Sequence, residues 1–171
     1  MSELTKFDRM LHYIIWRCKG KDNVGTKVLC KLCYFADFDH YEKHYESVTG
    51  REYIKLDHGP VPFDYDGSLE TLVSHGCIAV IERRYHGYAQ KGYDPILDPD
   101  MTGFSEEEVS DIDDSLSRYD GMDGKQIEDA SHADMPWRCA KNIRDTLDYN
   151  MAMYRDERTS VVPFVPDTDG E

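Results

Sequence analysis

Residues 26–62, TKVLCKLCYFADFDHYEKHYESVTGREYIKLDHGPVP, constrain the fold more than any other stretch. They open as an apolar helix: Val28, Leu29, Leu32, Cys33, Phe35 and Ala36 fall at helical spacing behind Thr26, the expected N-cap. The chain then turns through Val48-Thr49-Gly50. A short extended piece follows from Glu52 to Asp57, carrying Tyr53, Ile54 and Leu56, and it ends in His58-Gly59-Pro60-Val61-Pro62. Pro60 restricts Gly59 and Pro62 restricts Val61, so this corner has few conformations to lose on folding. The expectation is a buried helix locked onto a rigid corner, with no recognisable catalytic constellation.

The flanking segments suit a mainly α chain with a small β-hairpin, an α+β single compact helical domain. From Leu4 to Cys18 apolar residues keep one helical stripe, with Ser2 as expected N-cap and Gly20 as stop. The polar turn KGKDNVG then makes this helix the antiparallel neighbour of the central one. Tyr34, Phe35, Phe38 and Tyr41 give the central helix an aromatic band, read as core and rim packing. Beyond the corner, Ser68 to His75 reads as a helix ended near Gly76. Cys77 to Tyr85 reads as a strand, and a loop from His86 to Gly92 returns the chain into a partner strand, Tyr93 to Leu97. Helix followed by hairpin matches the topology of a winged-helix wing. Ser105 and Glu108 form a capping box opening an acidic helix to about Tyr119. Its buried face is Val109, Ile112 and Leu116, and its acid face is expected in solvent. Lys125 to Ala130 is a short helix, Pro136 opens another, and Trp137 is its expected anchor to the core. Residues 1–155 are assigned to the domain and 156–171 to an acidic, flexible tail.

At 171 residues the chain is long enough to bury a sizeable core, and no apolar run approaches the ~20 residues of a membrane helix. The first residues lack the basic-then-apolar order of a signal peptide, so a cytoplasmic location is expected. The formal net charge is −14, unevenly spread. Residues 1–34 carry seven Lys/Arg against three Asp/Glu, whereas residues 105–120 carry seven acids against one Arg. Such acidity repels phosphates, which argues against nucleic acid, and attracts a basic partner. The five cysteines, without a secretory signal, are expected as reduced thiols. Cys30 and Cys33 lack both a second pair for zinc and a preceding strand for thioredoxin-like chemistry. His40 and His44 lie one helical turn apart near Asp37. In HYEKH the glutamate falls one place too late for the HExxH arrangement, so a solvated helix end is expected and no metal. The phosphate-binding and nucleophile-elbow motifs are missing, since GMDGKQ has the wrong glycine spacing. The pairs Cys33 with His58 and His132 with Asp134 lack supporting groups. The chain is therefore read as a non-enzyme with no cofactor.

Three motifs occur in order: Lys31-Leu32-Cys33-Tyr34-Phe35-Ala36, then Gly59-Pro60-Val61-Pro62, then Ser131-His132-Ala133-Asp134-Met135-Pro136-Trp137. Together they resemble the Panacea antitoxin domain, the SocA-like family also labelled phage-associated GepA-like protein, over roughly residues 5–155. Cys33 stands where that family usually has a second leucine. The resemblance implies a mainly helical bacterial or phage antitoxin of a toxin–antitoxin system. Such a protein neutralises a cognate toxin by direct binding, and at least one family member acts as an adaptor for proteolysis, which extends the expected partners to a AAA+ protease. Carried over as structural positions are Lys31, Leu32, Tyr34, Phe35, His58, Gly59, Pro60, Val61, Pro62, His132, Pro136 and Trp137. His132 is expected to hydrogen-bond across to the corner. Tyr41, Tyr45 and Tyr53 are the candidates for partner binding. The competing readings are a winged-helix DNA-binding regulator, with Arg83, Arg84 and Lys91 on phosphates, and a small metalloprotein using His40, His44 or the Cys30/Cys33 pair.

Overall fold

The computed structural model describes residues 3–164. Its central element is α2 (Thr26–His44), which packs against neighbours on all sides. A surface helix buries one stripe; α2 buries residues round its whole circumference, Leu29, Tyr34 and Phe35 as well as Lys31, Asp37, Asp39, His40 and Glu42. Each large apolar side chain hidden there contributes about 1.5–3 kcal/mol. The buried polar ones must each find a partner.

α1 (Lys6–Arg17) lies along α2 and begins at Thr5 rather than Ser2, which is outside the described residues. Thr5 Oγ1 accepts the Asp8 N–H at 3.1 Å and Asp8 accepts the Thr5 N–H at 3.0 Å, a reciprocal cap. Gly25, not Thr26, is the residue preceding α2. The rigid corner is itself a strand. β1 (Tyr53–Leu56) and β2 (Gly59–Pro62) form an antiparallel hairpin in which Ile54 pairs with Val61 and Lys55 with Pro60. Two prolines are tolerated because β2 is an edge strand with no further ladder to donate to. The other edge of β1 is covered by residues 144–147, through Arg144 N–H to Lys55 O at 2.7 Å and Leu147 N–H to Tyr53 O at 2.8 Å.

α3 (Tyr65–Ser74) starts three residues earlier than its sequence pattern indicates. β3 (Ile78–Tyr85) and β4 (Tyr88–Pro95) form a second antiparallel hairpin, longer than expected. The expected seven-residue loop is mostly strand, since the reversal takes only His86 and Gly87, both at positive φ (50° and 82°). That is the two-residue turn whose twist matches the strands it joins. The second half comprises α4 (Glu106–Arg118), α5 (Gly124–His132), α6 (Met135–Cys139) and a 3-10 helix (Tyr149–Tyr154).

The acid face of α4 is only partly left to solvent: Glu106, Glu107 and Asp114 are exposed, whereas Glu108, Asp111 and Asp113 are engaged. Lys6 donates to Glu108, Tyr13 OH donates to Asp113 at 2.6 Å, and Arg17 lies 3.5 Å from Asp113. Asp111 is buried beneath α2, bonded to His40 at 2.7 Å and to Lys43 at 2.9 Å. Cations of the basic segment 1–34, together with Lys43, therefore neutralise part of the acidic segment 105–120 across α1, α2 and α4. Ser105 and Glu108 form the anticipated capping box.

Arg155 closes the far side. Its side chain has no exposed surface and its guanidinium meets three carboxylates. Nε and Nη2 donate to the two oxygens of Asp134 at 2.9 and 2.8 Å, while Nη1 donates to Asp39 at 2.8 Å and Glu42 at 3.0 Å. The segment after it stays on the domain as far as Val161, whose N–H donates to Glu42 at 2.9 Å beside a bond from Ser160. Thr159 is buried. The remainder of the expected flexible tail, residues 165–171, lies outside the described residues.

Two predictions follow from these ion pairs. Arg155→Met strands Asp39, Glu42 and Asp134 in a low dielectric and is expected to cost about 3–5 kcal/mol in urea unfolding; a loss under 1 kcal/mol would contradict the network. Burial opposes ionisation of Glu108 and Asp111, but the bonds from Lys6 and Ser105 to the first, and from Lys43 and His40 to the second, outweigh it. Both carboxyls are held below their ordinary values of 4.5 and 3.8. Lowered folded values mean that their stabilisation is complete above about pH 4.5 and is lost as pH falls through the folded values. The double variant Glu108→Gln/Asp111→Asn is therefore expected to start less stable at neutral pH and to lose less between about pH 4.5 and 2.5.

Candidate functional site

The three sequence motifs, far apart in the chain, meet at one point. Gly59 opens β2 at φ +109°, a conformation that side chains other than glycine resist. A Cβ on it would sit 2.6 Å from Lys31 Cε and 2.7 Å from Ser131 Oγ. The missing side chain lets α2, the first hairpin and α5 touch. Ser131 Oγ donates to the Glu128 carbonyl at 2.8 Å. A second tie links the first and third motifs, where Tyr34 OH donates to Asp134 at 2.7 Å.

Around this junction His58 Nδ1 lies 2.6 Å from Glu128, and Lys27 Nζ lies 3.5 Å from the same carboxylate. Burial opposes the charge on Glu128, but His58 and Lys27 outweigh it and hold the carboxyl below its ordinary range. His58 itself is exposed. Trp137 is half-buried and anchors to the hairpin rather than the core. Its Nε1–H donates to Leu56 O at 3.1 Å, and Lys55 Nζ stands 4.1 Å over the ring. His132 makes no bond to the corner. Its ring stacks on Trp137 at 4.2 Å and its Nε2 has no partner among the described residues. Pro136 is buried in the first turn of α6, which Asp134 caps. Pro60 and Pro62 are buried and Val61 half-buried.

Lys31 differs from the other buried polar groups of α2. Its side chain is 2% exposed, and it makes no hydrogen bond among the described residues. Burial pushes its ammonium below the ordinary lysine value. It lines a groove of 640 Å³ between the start of α2, the first hairpin and the start of α3, together with Lys27, His58, Phe63 and Arg144. The groove offers cations, the carboxylates of Asp64 and Asp66, the rings of Phe63 and Tyr65 and apolar strand faces.

Neither imagined catalytic pair is assembled. Cys33 is fully buried with its thiol pushed far up, and Asp134 is engaged by Arg155 and Tyr34 rather than orienting His132. Burial also pushes the Cys30 thiol up to about 12, so the C-x-x-C pair offers no thiolate at neutral pH. On the second hairpin Arg83 donates to Lys21 O at 2.8 Å and to Asp94 at 3.2 Å, which removes it from the set offered to phosphates. Arg84 and Lys91 are exposed.

An aromatic stack connects the core to the surface. Tyr119 lies on Phe35 at 4.1 Å, and Phe35 meets Tyr34 and then Phe38. Tyr149 stacks on Phe38 at 4.3 Å, followed by Tyr41 and finally Tyr45, which is 66% exposed. Tyr41 is half-buried and bonds Asn150. Tyr53, a candidate for partner binding, is 0% exposed and must be withdrawn. Its OH donates to Asp37 at 2.6 Å, leaving no surface to offer. Alternation along β1 could not say which face turned inward. Asp37 also accepts from Thr49, so it is not the partner of His40 and His44. Only half of that pair is a solvated end: His44 is exposed, whereas His40 is buried against Asp111.

The sequence reading missed Ser131, Glu128, Asp111 and Arg155 as organising residues. A signal existed for Asp111: with Ile112, Ser115 and Leu116 it completes a buried stripe at helical spacing. Arg155 carried none, because its partners are more than 100 residues away or in another helix. Gly59→Ala is expected to cost about 2–4 kcal/mol, combining backbone strain with overlap onto Lys31 and Ser131. Gly87→Ala, also at positive φ but with open space around it, should cost only about 1–2 kcal/mol; equal losses would show that contact at Gly59 adds nothing.

No match was found among curated proteins or solved structures. A family model described as antitoxin SocA-like, Panacea domain, matches residues 29–138, a span that contains all three motifs. That span covers well over half of the chain and contains the Lys31–Gly59–Ser131 junction. The chain belongs to the SocA-like, Panacea-domain antitoxin family.

Proposed function

We propose that this protein is a stoichiometric antitoxin of a toxin–antitoxin system, acting in the cytoplasm by direct binding to a cognate toxin and without catalysing a reaction. The family match over residues 29–138 carries the reading. The geometry supports it in two ways. The junction of the three motifs is an interlock of buried groups, suited to holding a rigid scaffold. The scaffold ends in exposed features suited to recognition, Tyr45 at the end of the aromatic stack and the cation-lined groove at Lys31. Rigid aromatic anchors supply most of the energy at such interfaces, and net charge mainly speeds encounter. Delivery of the toxin to a AAA+ protease is a further step this reading allows.

The test is co-expression with the product of the adjacent open reading frame. The neighbour alone is expected to arrest growth, to be relieved by this protein and to copurify with it. Tyr45→Ala is expected to weaken that complex about 10–100-fold without lowering the melting temperature. A harmless neighbour that does not copurify would overturn the reading.

A further inference from the structure

The geometry points to a binding site for a divalent transition-metal ion, of the Zn2+ class, formed by His40, His44 and Asp111. The histidines stand one turn apart on α2, and Asp111 reaches them from α4. Asp111 Oδ2 is 2.7 Å from His40 Nδ1 and 3.0 Å from His44 Nε2, and one donor atom from each of the three residues lies within 4.8 Å of the others. Ligand atoms along the edge of a tetrahedral zinc site are about 3.3–3.4 Å apart, set by metal–ligand bonds of about 2.0–2.1 Å. The two carboxylate–imidazole edges fall short of that by a few tenths of an ångström, and the third edge, between the imidazole nitrogens, lies within 4.8 Å. The imidazole of His44 is free to move outward, since its side chain is 34% exposed and gives the ion an entry path.

The surroundings supply what a metal site needs beyond its ligands. Lys43 holds the other Asp111 oxygen, Oδ1, at 2.9 Å, which fixes the carboxylate and leaves Oδ2 directed at the histidines. Glu107 brings a further negative charge to 3.9 Å from His44 Nδ1, which favours a bound cation. Two imidazoles and one carboxylate favour Zn2+, Ni2+, Co2+ or Cu2+ over Mg2+ and Ca2+. Three protein ligands leave at least one position facing solvent at the end of α2. The sequence spacing of His40 and His44 carried no such site alone; the folded chain adds the third ligand, 67 residues from His44. An ion there would add a coordinate tie between α2 and α4 to the Lys43–Asp111 pair and the Ser115–Asp39 hydrogen bond.

The test uses the full chain, stripped with a chelator and titrated with ZnCl2 and CoCl2 by calorimetry and visible spectroscopy. One equivalent is expected to bind, with the ligand-field bands of low-coordinate Co2+. At a hundredfold excess of Zn2+ over its Kd the melting temperature is expected to rise about 5–10 °C. His44→Ala, at an exposed position, is expected to keep the fold and lose the binding, the spectrum and the rise. Asp111→Asn should lose them as well, and Cys139→Ser, the exposed thiol, should change none of them. No saturable binding, or binding that survives His44→Ala, would overturn the proposal. None of these outcomes depends on a toxin, so this result and the co-expression result stand apart.

Discussion

A guanidinium with no exposed surface sets the terms for much of this fold. α2 carries Asp39 and Glu42 into the interior, and α6 begins with the buried Asp134. Removing an ion from water costs several kcal/mol even after relaxation, so three carboxylates this close need a cation that stays charged. Burial alone would lower the pKa of Arg155, but Asp134 and Asp39 outweigh it and raise the value further. Its planar fork meets both oxygens of Asp134 and still reaches α2, a geometry that a lysine ammonium could not reproduce. Arg155 arrives late in the chain, so α2 is not electrically complete until nearly the whole domain has closed round it.

The same logic runs along the rest of α2. Asp37 is satisfied by Thr49 and Tyr53, His40 by Asp111, and Glu42 by Arg155, Ser160 and Val161. Each partner comes from a different segment, so the buried polar groups specify which segment packs on which face. Apolar contact alone would tolerate slippage; a misplaced neighbour here would strand a charge. The acidic α4 obeys the same rule through Lys6, Tyr13 and Lys43. Part of the charge asymmetry along the chain is thus paired inside the molecule, and that pairing leaves the net charge of −14 as it was. Lys31 is the exception among these groups, a buried side chain beside a groove with no hydrogen bond among the described residues.

What could be read in the sequence was what local spacing encodes. The stripes of α1 and α4, the capping box at Ser105, the burial of α2 and the hairpin near residue 80 all depend on neighbours within a few positions. The failures came where the decisive neighbour was distant. β2 looked like a rigid corner because its prolines argue against a strand until an edge position is known. The second hairpin was shortened because His86 at positive φ is uncommon. Tyr53 was placed outside because alternation gives a period without a sign. The convergence of the three motifs could be named from their resemblance to a family, but their contact through Gly59 required the fold.

That contact separates two questions that family membership tends to merge. Leu32, Tyr34, Phe35, Gly59, Pro60 and Pro62 are all buried, so the atoms that identify the family are largely atoms a partner cannot touch. They specify one rigid arrangement of α2, the first hairpin and α5, and a preorganised surface loses less entropy when it binds. Groups that the interlock leaves outside, such as Tyr45 and the rim of the Lys31 groove, are the ones a partner could reach. Those positions can change without disturbing the buried motifs. A match to these motifs therefore identifies the buried scaffold far better than it identifies any partner.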